Sequence, residues 1–315
     1  MRKALIVGIN DYPTAPLRGC VTDAIAVGDV LARHGDGSPD FAIKLTVSPS
    51  ETTTRPKLRA TIGALFSGDS DIALLYFSGH GFINSRGGYI VTTDFQKYDE
   101  GISMDEILLL ANQSKAKDEV IFLDCCHSGA FGSPTLTGGT LAQLSEGLTV
   151  LTASRDSESA LEINGAGVFT ALVVDALQGG AADLRGHITP GSIYAYVDQA
   201  LGAWDQRPIF KTNVTRFTSL RTVPPPVPTV TLRKLTDYFP SPEDQHILDP
   251  TYEFTEATAD PTKVEIMKDL QRLVSVGVVV PVGEEHMYFA AIRSKSCRLT
   301  ALGFQYWRLV HEGRL

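Results

Sequence analysis

Two short stretches carry side chains suited to covalent chemistry. "YFSGHG", residues 76–81, brings His80 to the end of an apolar run between Gly79 and Gly81. "VIFLDCCHSGAF", residues 120–131, does the same for Cys125 and Cys126, with His127 directly after them. A thiol is a weak nucleophile until it becomes a thiolate. A nearby imidazole can take its proton and later return it to a leaving amine. Glycines beside both groups let a substrate backbone approach and offer N–H groups to an oxyanion. On these residues alone the cysteine pair has three readings: inert core thiols, metal ligands, or a nucleophile with its neighbour.

The metal reading is the weakest. Cys20, Cys125, Cys126 and Cys297 are the only cysteines, and none has the paired short spacing of a structural zinc site. Adjacent cysteines are badly placed to bond each other, so reduced thiols and a cytoplasmic location are expected. No metal and no cofactor is expected.

The histidine and the cysteine pair, 45 and 46 residues apart, meet only if the fold brings their strands together. Apolar, β-rich runs predict strands over 3–9, 41–47, 71–81, 118–129, 147–154 and 207–213, with a short extended piece over 87–94. Helical spacing predicts helices over 20–35, 55–68, 103–116, 167–180 and 189–204. Ser103 and Glu106 have the spacing of a capping box. Continuous apolar strands alternating with helices predict an α/β, doubly wound, mainly parallel sheet covered on both faces. Ligands of such sheets bind outside the carboxyl ends of the strands, which is where His80 and the cysteines fall.

With both motifs and this setting on the page, a resemblance becomes specific. "YFSGHG" followed by "DCCHSG" resembles the caspase and metacaspase clan of cysteine proteases, above all metacaspases and bacterial orthocaspases, whose nucleophile motif reads D-x-C-H-S-G. The 46-residue interval fits the roughly 50 residues of the clan. "LTASRDSESALE" (151–162) and "GVFTALVVDAL" (167–177) resemble its small-subunit half. The resemblance implies Cys126 as nucleophile, His80 as general base and acid, Cys125 as a buried or half-buried neighbour, and His127 as structural. The backbone N–H groups of Gly81 and Cys126 are the candidate oxyanion donors.

The resemblance also implies a specificity pocket. Asp124, two residues before the nucleophile, Asp23 in "LRGCVTDA", and Ser78, two before His80, match metacaspase pocket positions. Thr22 departs from the Asn usual there. Two carboxylates in a closed pocket select a cation, and Arg can pair with them bidentately. Cleavage of protein substrates after Arg, then Lys, is expected. Many metacaspases bind activating calcium through acids after the His strand. Asp94, Asp99, Glu100, Asp105 and Glu106 lie there but lack EF-hand spacing, so solvated acids are the safer reading.

The remainder of the chain bounds these expectations. It has 315 residues, 43% hydrophobic and 20% charged, enough for one large and one small domain. A caspase-like peptidase domain is expected over 1–221, a proline-rich linker over 222–230, and a winged-helix-like α+β domain over 231–315, in which 260–282 reads as a helix and then a strand, and 286–310 as a strand, a turn and a closing helix begun by Thr300. That last domain holds 10 Lys+Arg against 12 Asp+Glu. The whole chain carries a net charge of −8. Nucleic acid is therefore an unfavoured partner, and a protein partner or sensor is expected for the C-terminal domain. The apolar runs fall short of the ~20 residues of a membrane span, so no membrane insertion is expected. Resemblance to bacterial caspase-like proteases implies an immune or cell-death pathway, with a gasdermin-like pore former among possible substrates. The competing readings are a catalytically silent caspase-like adaptor and a nucleic-acid-responsive regulator with a protease effector.

Overall fold

The computed structural model describes residues 1–96, 99–125, 144–153, 162–163, 166–201 and 207–315. These divide into two compact units, Met1–Pro224 and Pro225–Leu315.

The first unit is built on a six-stranded sheet. Its strands are β1 (Arg2–Gly8), β2 (Ala42–Val47), β3 (Asp69–Ser78), β7 (Lys115–Asp124), β8 (Leu148–Thr152) and β12 (Ile209–Thr212), in the order β12-β8-β7-β3-β1-β2. All pairings are parallel except β12 with β8, an antiparallel edge. Between β3 and β7 lies a three-stranded antiparallel sheet of β4 (Gly81–Asn84), β5 (Gly87–Gln96) and β6 (Asp99–Ser103). It is followed by helix α3 (Met104–Asn112).

Two helical layers cover the main sheet, each with its own core. Even-numbered residues of β3 and β7, such as Leu74, Tyr76, Val120 and Phe122, pack with α1 (Cys20–Leu31), α4 (Val168–Asp175) and α5 (Pro190–Leu201). Odd-numbered ones, such as Leu75, Phe77, Ile121 and Leu123, pack with α2 (Arg55–Phe66) and α3. Strand side chains alternate between faces, so this parity decides which side of the sheet each carboxyl-end residue serves.

Helix α1 buries Cys20, Asp23, Ala24, Val27, Gly28 and Leu31, one stripe at helical spacing. It stops at Leu31 because Asp40 and Phe41 donate their N–H groups to the carbonyls of Ala32 and Leu31. The helix lies very close over the end of β1: a Cβ at Gly8 would stand 2.3 Å from the Cys20 carbonyl oxygen. In α3 the Ser103 hydroxyl caps the Asp105 N–H, while the Glu106 carboxylate pairs with Arg59 of α2. Helix α3 ends four residues before the expected boundary. The charged segment from Lys115 onward instead extends β7, in register with Asp69 of β3.

Two short pairs complete the unit: β9 (Glu162–Ile163) with β10 (Ala166–Gly167), and β11 (His187–Ile188) with β13 (Arg221–Thr222). The expected linker thus loses its first residue to β13.

The second unit begins with helices α6 (Thr229–Arg233) and α7 (Leu235–Tyr238). Strands β14 (Gln245–Ile247), β15 (Val279–Val282) and β16 (Ser296–Leu299) form an antiparallel sheet ordered β14-β16-β15. Helix α8 (Pro261–Ser275) is capped by Asp260, and α10 (Ala301–His311) by Thr300. The strand expected at the start of 286–310 is helix α9 (Met287–Ile292), which joins β15 to β16 where a wing would have a tight turn. Its burial explains this: Met287, Ala290 and Ala291 are buried at helical spacing, although Tyr288 and Phe289 favour strand by type. Asp269 ties the unit together by accepting hydrogen bonds from Thr231, Lys234, Tyr238 and Arg272.

No helix among the described residues is long and apolar enough to cross a membrane.

Candidate active site

His80 lies two residues past the end of β3 and is held from three sides. Its backbone N–H donates to the Tyr12 hydroxyl at 3.0 Å, and its carbonyl accepts from the Val91 N–H at 2.9 Å. The Tyr12 ring tilts against the imidazole with 4.6 Å between centroids. The Tyr12 hydroxyl donates onward to the Val91 carbonyl, and burial pushes its pKa up, so it keeps its proton. Gly79 makes this approach possible, because a Cβ there would lie 2.5 Å from the Tyr12 oxygen.

The third contact sets the ring's chemistry. His80 Nε2 lies 2.7 Å from the Ala15 carbonyl oxygen. A carbonyl only accepts, so Nε2 carries a proton and Nδ1 of the neutral ring is the basic nitrogen. The loop bearing Ala15 is shaped by Asn10. Its carbonyl accepts from Tyr12 and Leu17, its side-chain oxygen from Val21, and its amide donates to the Arg18 carbonyl.

On the other face of the sheet, three of the expected residues meet. Ser78, Asp23 and Asp124 are 2%, 5% and 5% exposed. Gly167 is the meeting point of the two acids. Asp23 Oδ2 accepts from the Gly167 N–H at 3.2 Å, and Asp124 Oδ2 accepts from the Thr170 hydroxyl at 2.6 Å. Thr170 also bonds the Tyr76 hydroxyl at 2.5 Å. Burial first, then the charges of Asp124 and Asp23, push the Tyr76 pKa up, while hydrogen bonds with Thr170 and Ser78 oppose this. The cluster is a buried, acidic site at the carboxyl edge of β3 and β7.

Strand register relates it to the chemistry. Ser78 pairs with Asp124, and the Gly79 N–H donates to the Asp124 carbonyl at 3.3 Å. His80 and Cys126 each follow two residues later in the sequence. Cys126, His127 and residues 154–161 lie outside the described residues. Cys125 is described and buried, 1% exposed, in the core shared with Tyr12, Phe77 and Val91. Gly81, the other expected oxyanion donor, opens β4 beside His80.

Of the acids considered for calcium, Asp99 and Glu106 pair with Arg55 and Arg59. Asp94 accepts from the Arg55 N–H and the Thr92 hydroxyl. Among the described residues no group of three or more His, Cys, Asp or Glu is placed to hold a metal.

Comparison with known proteins decides the family. Residues 1–219 match the caspase domain family of peptidases. The chain belongs to this family. A caspase domain with a mostly parallel sheet between helical layers is therefore the fold of the first unit, and the family is one of cysteine proteases. Two solved structures share the fold. A protein from Geobacter sulfurreducens is 19% identical, with a TM-score of 0.52, and the match covers 68% of this chain and 94% of that one. Caspase-1 from Spodoptera frugiperda is 14% identical, with a TM-score of 0.50, covering 70% of this chain and 90% of that one. No curated protein sequence matches the chain.

Several residues that shape this caspase domain site carry no sequence signal of their own. Ala15 contributes a backbone oxygen, which its residue type does not announce. Tyr12 and Asn10 act through loop geometry. Asp23 had a readable signal: it falls on the apolar stripe between Cys20 and Val27, where a solvated acid is out of place.

Proposed function

We propose that the chain is a cysteine endopeptidase that cleaves protein substrates after basic residues, arginine ahead of lysine. The observation that carries this is the convergence of Asp23 and Asp124 on Gly167, buried at the same strand ends that precede His80 and Cys126. Two buried carboxylates lose solvation, and a guanidinium that pairs with both offsets that cost. In this mechanism His80 Nδ1 takes the Cys126 thiol proton. The thiolate attacks the scissile carbonyl, and N–H groups of Gly81 and Cys126 hold the oxyanion. The imidazolium then protonates the leaving amine, and water hydrolyses the thioester. The likeness to bacterial caspase-like proteases supports a role in immunity or regulated cell death. A gasdermin-like pore former is the substrate class to test first.

The deciding experiment is hydrolysis of fluorogenic peptides bearing Arg, Lys, Asp or Leu before the scissile bond, with and without calcium. Wild type should favour Arg. Cys126→Ala should be inactive, His80→Ala should lose about 10²–10⁴-fold in kcat, and Asp124→Asn should lose about 10²-fold in kcat/KM for Arg. Preference for Asp or Leu would overturn the pocket roles. Native thiol labelling separates a dormant enzyme from a silent adaptor. Cys20, Cys125 and Cys297 are buried, and burial pushes the Cys297 thiol up to about 12. Alkylation should therefore mark one thiol, and Cys126→Ala should abolish the mark.

A further inference from the structure

A second pocket adjoins His80, on the side away from the acidic cluster. It encloses about 250 Å³ and is lined by Tyr12, Ala15, His80, Phe82, Val91 and Phe95, among others. Among the described residues its wall contains no carboxylate, ammonium or guanidinium. Phe82 and Phe95 remain 36% and 39% exposed, large apolar rings that the chain itself leaves uncovered.

We propose that this pocket is the subsite for the residue that follows the scissile bond, and that it selects an aromatic or long aliphatic side chain. The proposal rests on the endopeptidase reading. Its geometry comes from the parity of the strands. Ser78 and Asp124 continue the even-numbered series that faces α1 and α4. Tyr12 and Val91 belong to the core on the opposite face, which holds Phe77 and Leu123. His80 sits between the two at the carboxyl edge, its ring against Tyr12 and its Nε2 on Ala15.

A peptide crossing that edge with a basic side chain among the acids has its next residue on the His80 side. Chemistry requires the same direction. The imidazole must reach the leaving nitrogen, and that nitrogen belongs to the residue after the scissile bond. The side chain of that residue is carried to the wall beyond His80, which is apolar. Burying it there removes water from both the ligand and the two phenylalanines.

The test holds Arg before the scissile bond and varies the next residue among Gly, Ser, Asp, Leu and Phe in internally quenched peptides. Leu and Phe should exceed Ser and Asp by about tenfold in kcat/KM, the discrimination a few buried methylenes provide. Phe95→Ala should reduce that ratio to about twofold. Phe95 is partly exposed, so circular dichroism should show the variant folded. A parallel titration of Cys126→Ala with the same uncleaved peptides, read by fluorescence anisotropy, should give the same ranking whether or not the wild type is dormant. A flat profile in both measurements, or a preference for Gly or Asp, would overturn the subsite. If binding and cleavage still depend on Arg, the endopeptidase reading survives that result. Loss of the Arg dependence with the Leu and Phe ranking intact would overturn the acidic pocket alone. Absence of binding by every peptide would overturn both.

Discussion

Asp23 and Asp124 approach one point from a helix and a strand: a Cβ at Gly167 would stand 3.2 Å from the Oδ2 of the first and 2.6 Å from that of the second. The backbone of Gly167 has φ −67° and ψ 125°, which any residue adopts. Space, and not conformation, is what requires glycine here. Gly167→Ala should therefore fold, with about 1–3 kcal/mol of destabilisation from overpacking. It should lose cleavage after Arg by about tenfold, because the methyl displaces the carboxylates. Alkylation of Cys126 should be unaffected. Unchanged kcat/KM for Arg peptides would show that the acids do not hold the substrate.

Tyr12 holds the His80 backbone and packs on its ring, which makes it a positioning residue in the proposed mechanism. Tyr12→Phe removes the acceptor for the His80 N–H and the donor to Val91 while keeping the ring contact. Each lost hydrogen bond costs about 0.5–1.5 kcal/mol. The expected result is a fall of about tenfold in kcat with KM little changed. A change in KM alone would show that the hydroxyl does not position His80 for the chemical step.

Glu119 makes stability depend on pH. It is 2% exposed in β7, and burial pushes its carboxyl up to about 7, with the charge of Asp118 adding and a hydrogen bond with Ser114 opposing. In the unfolded chain a glutamate titrates near 4.3. Between these values the folded state holds a proton that the unfolded state has released. The free energy of unfolding therefore falls as pH rises through this window, by up to roughly 3 kcal/mol, and levels off above pH 7. Urea unfolding at pH 5 and pH 8 tests this. Glu119→Gln should lack this fall, so its advantage over wild type should be about 2 kcal/mol larger at pH 8 than at pH 5. Parallel behaviour of the two proteins would remove Glu119 from the account.

Most of the first unit was legible in the chain because its four central strands, β1, β3, β7 and β8, are buried along most of their length. Runs such as "LIVGI" and "ALLYF" have few other uses, and their alternation with helices leaves few topologies. Boundaries were less legible. Helix α1 stops four residues before its expected end, since Asp40 and Phe41 claim its last carbonyls. The segment of helix α9 reads as strand because Tyr288 and Phe289 favour it by type, whereas burial of Met287, Ala290 and Ala291 follows a helical spacing.

The residues by themselves determined the chemistry on offer: an imidazole and a thiol at the ends of apolar strands, between glycines. The types and spacing of those residues are local facts and survive in one dimension. Which groups surround His80 is a different kind of fact. The Ala15 carbonyl that fixes its tautomer, the Tyr12 hydroxyl that holds its backbone, and the gap at Gly167 where two acids meet all join segments distant in sequence. Backbone atoms look alike in every residue, and an empty space has no residue type. Packing of the loop after β1 against β3 and β5, and of α1 against β10 and α4, therefore had to decide them.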